Sequence, residues 1–266
     1  MTDKKRTLLF TASAYVFFLI AFGLIGAVIL PMGDDALHFQ QSPLMQLMVA
    51  VAAWTPTFAL LVFFKKLLPN TSVKAFFKHA FQARLNVGLL LCITAIQLAA
   101  FFGAVGITAA IEGVTLQSLL HISLPTLATG FAFTAIQGPT GEQAGWRGFL
   151  QPHLQKRHSV LKSSIFVGLI WGFWHAPLWF TGGFAGLDLI LYIVFYMIAI
   201  TCAAIIIGVC YHHCNNLFVP IWIHFMFNFT LTMFTGNVLA VMPWLAAVYL
   251  VITIGYVIWH KRRHAA

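Results

Sequence analysis

The run LPTLATGFAFTAIQGPTGEQAGWRGFLQPHL, residues 124–154, opens as a stretch apolar enough to enter a bilayer, then carries Glu142 and Arg147 where a membrane helix should still be apolar. An ionised carboxylate in hydrocarbon is costly, and such groups are kept where they face a bundle interior or a wet cavity. Whether this run crosses a membrane therefore decides both the fold and the meaning of Glu142. The rest of the chain answers. Of its 266 residues, 61% are hydrophobic and 8% charged, with a mean hydropathy of +0.90, a composition of the membrane class rather than of soluble globular domains.

About 20 apolar residues cross a hydrocarbon core of roughly 30 Å. Eight stretches meet or approach that length, near 8–31, 44–64, 86–111, 125–149, 163–181, 187–210, 216–235 and 239–259. The sequence thus predicts an all-α polytopic membrane protein with about eight transmembrane helices enclosing a polar intramembrane cavity. The first stretch follows Lys4, Lys5 and Arg6 as a secretory signal would, but it is too long and no small-residue cleavage site follows, so it is expected to be a retained span.

Charge sets the expected orientation, because Lys and Arg are held preferentially on the cytoplasmic side. The basic residues fall before the first span (Lys4–Arg6), between the second and third (Lys65–Arg84), around the connection of the fourth and fifth (Arg147–Lys162) and after the eighth (Lys261–Arg263). The opposite loops hold Asp34, Asp35, Glu112 and Asp188 and no basic residue. Both termini are therefore expected in the cytoplasm, in a multi-pass protein of the plasma or inner membrane. The net charge of +9 is spread over four segments beside headgroups, which makes the lipid bilayer its partner and argues against nucleic acid. No repeat, low-complexity tract or soluble segment interrupts the pattern, so residues 1–266 are expected to form a single membrane domain, with a motif-bearing core at about 125–235.

Cys92, Cys202, Cys210 and Cys214 lie in no expected outer loop, so no disulfide framework is implied. The cluster CYHHC at 210–214 lacks the spacing of a structural zinc site. In NTSVKAFFKHAFQAR, residues 70–84, Val73, Phe76, Phe77, Ala80 and Phe81 recur at helical spacing, with Lys74 and Lys78 elsewhere around the turn. That pattern suits an amphipathic connector lying in the inner interface.

Few polar residues remain inside the spans: Glu142 and Arg147, His175 in the fifth, and His224 with Asn228 in the seventh. His224 and Asn228, four apart, share a helix face, as do Trp171 and His175. Glu142 and Arg147, five apart, lie about 140° apart around a regular helix, so the arginine is expected at the inner end of the fourth span or paired elsewhere. Singly, a buried His or Asn is helix-packing glue; together, one Glu and two His on three spans point to a polar site. A rise of about 1.5 Å per residue puts Glu142 roughly 24 Å from the outer end of its span, His224 about 12 Å from the inner end of its own, and His175 near mid-bilayer. A backbone break invited by Gly138, Pro139 and Gly141 would bring them level.

The residues Glu142-Gln143-Ala-Gly-Trp-Arg147, Trp171-Gly-Phe-Trp-His175 and His224-Phe-Met-Phe-Asn228 resemble, in order and on separate spans, the motifs of the CAAX-protease and bacteriocin-processing family of intramembrane endopeptidases, also called the Abi family. The resemblance covers roughly residues 138–230. It implies hydrolysis of a peptide bond in a membrane-associated peptide or protein, at a cavity open to the cytoplasm. By that resemblance Glu142 and His175 activate a water, His224 and Asn228 steady the oxyanion, and Gln143, Arg147 and Trp171 support them. Two positions depart from the family pattern: Trp171 stands for Phe, a large apolar exchange expected to matter little for chemistry, and Gln143 stands for a second Glu. No cofactor is expected to be required, although Glu142, His175 and His224 are the residues that zinc or another divalent metal would take. Two other readings compete: a proton-coupled transporter, disfavoured by the missing internal repeat, and a catalytically inactive immunity or scaffold relative, for which Gln143 is the main argument.

Overall fold

The structure, a computed structural model, describes residues 1–35, 39 and 42–265. The expected outer loop after the first span is thus described only in part: Ala36, Leu37, His38, Gln40 and Gln41 lie outside the described residues, as does Ala266 at the C-terminal end. The described chain is helical: α1 (Asp3–Ile29), α2 (Pro43–Ala53), α3 (Thr55–Val62), α4 (Val73–Phe81), α5 (Val87–Glu112), α6 (Leu124–Ile136), α7 (Gly138–Gln143), α8 (Val160–Trp174), α9 (Gly186–Cys214), α10 (Phe218–Leu231) and α11 (Val238–Ala265). Among the described residues there is no strand, only an isolated antiparallel bridge between Leu120 and Phe234.

Local chemistry sets the helix boundaries. Thr2, Ser42, Ser72, Asn86, Ser123 and Ser159 each accept from a backbone N–H of the first turn, satisfying a donor that the helix itself leaves orphaned. Gly113 and Asn215 take the left-handed conformation that closes α5 and α9. Proline makes the breaks. Pro56, which has no N–H to donate, follows the 52° bend at Trp54 between α2 and α3, and Pro177 follows the end of α8 at His175.

By length and composition, four helices can cross a membrane: α1 with the turn to Gly33, α5, α9 and α11 up to Arg263. The bent pair α2 and α3 makes a fifth if taken as one span. The remaining expected spans are the ones that bear the motifs. The fourth is broken into α6, α7 and the buried turns of residues 144–150, while α8 and α10 are shorter apolar helices of 15 and 14 residues. Polar side chains and proline at those positions shorten the regular helix, which is tolerated at membrane depth where backbone is buried in protein or lines a cavity.

The basic segments gather at one end of the bundle. Lys156 pairs with Asp3 at 3.0 Å, Phe76 of α4 packs over Gly148, and the Leu217 amide donates to the Ala80 carbonyl. The amphipathic reading of α4 holds in part: Ala80 is buried and Phe76 and Phe77 half-buried, while Val73 and Phe81 are exposed. At the same end, His213 of α9 meets His260 of α11 at 3.1 Å. Among the described residues, no group of three His, Cys, Asp or Glu is placed to hold a metal ion. The helices pack in series, α8 on α9, α9 on α11 and α5 against α10 and α11, and residues 138–151 run through the middle, nearly all buried.

Candidate active site

The break expected before Glu142 is present. Gln137 leaves helical geometry with ψ −123°, and Gly138 starts α7 with Pro139 in its first turn. Beyond α7 lies a feature that the sequence does not signal: Ala144–Leu150 is π-helical. Such turns, with i→i+5 hydrogen bonds, are rare and frequent at functional sites. Wider winding brings residues five apart toward one face, so the regular-helix separation of Glu142 and Arg147 does not apply. Arg147 lies wholly buried, not at the inner end of the span, with its guanidinium 4.5 Å from the Trp171 ring centroid.

Glu142, 2% exposed, sits on the other side of that tryptophan's chemistry. The Trp171 indole N–H donates to Glu142 Oε2. A phenylalanine could pack here but could not donate, so the exchange at position 171 is more than one of size. Trp171 also meets His224 edge-on, ring centroids 4.8 Å apart, and His175 at 5.9 Å. It is the wall against which the three motifs assemble.

The two histidines are held differently. His175 Nδ1 lies 2.9 Å from the Trp171 carbonyl, an acceptor, so Nδ1 carries the proton and Nε2 keeps a free lone pair. His224 is engaged on both sides, by the Gln143 amide at Nδ1 (2.8 Å) and by the Asn228 amide at Nε2 (3.1 Å). The shared face expected for His224 and Asn228 is thus realised as a direct contact, and Gln143 has a partner that its position beside Glu142 did not reveal.

Gly138 shows how close the approach is. A methyl group there would lie 2.7 Å from Glu142 Oε1, 3.2 Å from His224 Cε1 and 3.5 Å from the Asn228 amide. Side chains of the first and third motif segments therefore surround one point, just after the break at Gln137.

Two cavities meet at these residues. The larger, about 660 Å³, is lined by Glu142, His175 and Asn228 with α1 from Phe18 to Ile29, Leu30 just beyond it, and α2 from Met45 to Ala53. The smaller, about 260 Å³, shares His175 and Asn228 and adds Trp171, His224 and apolar residues of α9, α10 and α11. Both linings reach from mid-span toward the helix ends remote from the basic segments.

The proposed metal set does not fit this arrangement. His224 has both nitrogens engaged and Glu142 one oxygen, which leaves too few free lone pairs for the three ligands zinc takes in catalytic sites. The indole bond can be tested. Trp171→Phe preserves the ring wall but removes a donor to a buried carboxylate, an interaction worth about 1.5–3 kcal/mol. Where Glu142 acts in turnover, the variant is expected to lose roughly 10- to 100-fold in rate and to unfold at a lower temperature, because the same bond stabilises the fold; wild-type kinetics would show that the bond is idle in turnover.

Residues 123–230 match the family described as Type II CAAX prenyl endopeptidase Rce1-like, a segment that contains Glu142, Gln143, Arg147, Trp171, His175, His224 and Asn228. The protein named CAAX prenyl protease 2 from Methanococcus maripaludis is 29% identical over 101 residues, which cover 36% of this chain and 37% of that one. The likeness thus spans little more than a third of that relative's length. The apolar helices support a multi-pass membrane protein, and its residues 123–230 are similar to CAAX prenyl endopeptidases.

Proposed function

We propose that this chain, similar over residues 123–230 to CAAX prenyl endopeptidases, is an intramembrane endopeptidase that hydrolyses a peptide bond of a membrane-associated peptide or protein through water activated by Glu142 and His175, without a metal. The observation that carries the reading is the convergence of Glu142, His224 and Asn228 around Gly138, next to a cavity that also exposes His175.

Glu142 Oε1 is the oxygen not taken by Trp171 and serves as the general base. His175 Nε2, left unprotonated, accepts from the same water and aligns it. The water oxygen bonds to the scissile carbonyl carbon as its proton passes to Glu142. The C–N bond then breaks, and Glu142 returns the proton to the departing amine.

Proton bookkeeping at His224 assigns the oxyanion donor. A neutral imidazole carries one N–H, so one of the two amides must present its oxygen. Gln143 is wholly buried with Oε1 already lacking a partner, and turning its amide would strand an NH₂ with two donors, a greater cost. Gln143 therefore donates to Nδ1, the His224 proton sits on Nε2 and is given to Asn228 Oδ1, and the Asn228 NH₂ faces the cavity as the oxyanion donor. His224 thus orients Asn228, and Gln143 sets the tautomer.

The test is full-length protein reconstituted with a library of membrane-anchored peptides, assayed beside Glu142→Gln. Cleavage that depends on Glu142 is expected, it should survive exhaustive chelation, and elemental analysis should find well under one zinc per chain. Stoichiometric zinc, lost in the His175→Ala and His224→Ala variants, would replace this mechanism by a metal-dependent one. No cleavage from any peptide would leave the inactive relative as the reading.

A further inference from the structure

The basic end of the bundle holds a third cavity, of about 400 Å³, that no step of the proposed reaction uses. Three segments wall it: Thr71 and His79 from the α4 side, Gly148 and His153 from the chain at and after the π-helical turn, and Tyr211 and Asn215 from the end of α9. Ala80 and His153 are buried at its floor, while Ala75, His79 and Asn215 stand exposed at its mouth. Pockets of roughly 300–1,000 Å³ take small ligands. The lining offers both hydrogen-bond roles. The Gln82 NH₂ group lies 2.8 Å from His79 Nδ1; an NH₂ can only donate, so the His79 proton sits on Nε2, which is a donor. His153 Nδ1 lies 2.9 Å from the Phe149 carbonyl and carries the proton there. Burial holds this imidazole below its ordinary protonation range, so Nε2 is an acceptor. No acidic residue lines the cavity, and the flanking segments 65–84 and 156–162 hold Lys and Arg but no Asp or Glu. Asp3, at the same end, is already paired with Lys156.

We propose that this cavity binds the headgroup of one anionic phospholipid that carries a free hydroxyl, as phosphatidylglycerol does. The phosphate takes the donors of His79 and the Thr71 and Tyr211 hydroxyls in the field of the surrounding lysines, each worth about 1 kcal/mol toward an anionic headgroup. The headgroup hydroxyl donates to His153 Nε2. A headgroup ending in an ammonium could donate there too, but the same lysines repel it. Val73 and Phe81 of α4 are exposed and give the acyl chains an apolar surface that a soluble phosphate would not use. Gly148, on the cavity wall, belongs to the π-helical turn Ala144–Leu150, so a bound headgroup braces the segment that follows Glu142. The inference stands apart from the protease reading.

The experiment uses the full chain in phosphatidylcholine nanodiscs, with phosphatidylglycerol, phosphatidylethanolamine, phosphatidate or soluble glycerol phosphate added, read by thermal unfolding and by native mass spectrometry of retained lipid. Phosphatidylglycerol is expected to be retained at one per chain and to raise the unfolding midpoint by about 5 °C at saturation. The other three should bind about 10-fold or more weakly. His79→Ala and Tyr211→Phe should each weaken phosphatidylglycerol about 10-fold, Ala75→Trp should close the mouth and abolish retention, and His153→Phe should erase the preference over phosphatidate. Parental midpoints in phosphatidylcholine alone show that the variants fold; should Ala75→Trp not fold, the exposed His79 position decides. Retention untouched by His79→Ala and Tyr211→Phe but removed by salt, or by Lys74→Gln with Lys78→Gln, would be diffuse headgroup attraction and overturns the site. Equal binding of glycerol phosphate overturns the lipid as its source.

Discussion

Replacing Glu142 by Gln is expected to lower the cleavage rate by at least the 10²- to 10⁴-fold attributed to a general base. The substitution is nearly isosteric, and an amide oxygen can still accept from the Trp171 indole, so packing around position 142 is preserved and only proton transfer is removed. His175→Ala and His224→Ala should be comparably inactive, the first because the water loses its second acceptor and the second because Asn228 loses its anchor. Since these groups act as a unit, combining Glu142→Gln with His175→Ala should cost little beyond either single change. Single-turnover rates on a reconstituted substrate measure all of these. Losses that multiply across the double variant would show independent contributions and dissolve the shared site.

Gly138→Ala is expected to be almost as damaging, by roughly 10²-fold. The added methyl would lie 2.7 Å from Glu142 Oε1, closer than carbon and oxygen approach without a bond, so the carboxylate must swing away from the point shared with His224 and Asn228. Alanine is a better helix former than glycine, so on propensity alone the same variant should be no less stable. Lost activity with only a modest fall in thermal midpoint, because the propensity gain offsets part of the overpacking, is therefore the expected signature. A variant with parental kcat would mean that the carboxylate works from some other position.

Legibility in the sequence differs from residue to residue. Motif spacing is sufficient for His224 and Asn228, because two residues four apart on a regular helix touch whatever surrounds them. Gly138, Pro139 and Gly141 announce a break, and the chain breaks at Gln137. Arg147 escapes because AGWRGFL carries no mark that separates π from α winding; the choice is made by what packs around it. Trp171 is legible as an aromatic but not as a hydrogen-bond donor to Glu142, since a donor's partner is a tertiary fact. The 52° bend at Trp54 does leave a signal, Pro56 in the middle of an expected span. The eight-span layout rests on hydropathy alone, which measures apolar length and cannot tell a lipid-facing helix from one folded inside the bundle.

The packed segment beneath the cavities has an electrical consequence. Trp146, Arg147, Phe149, Leu150 and Gln151 are wholly buried, Phe10 packs against Trp146 and Phe149, and this plug separates the cavities from the basic end. Water filling the cavity lined by Glu142, His175 and Asn228 would sustain little voltage drop. The transmembrane potential, about 2.3 kcal/mol per elementary charge per 100 mV, would then fall mainly across the plug, leaving Glu142 near the potential of the solution in the cavity. Proton transfer from a water within the cavity to Glu142 moves almost no charge through the field, so the chemical step should run at the same rate in energised and de-energised membranes.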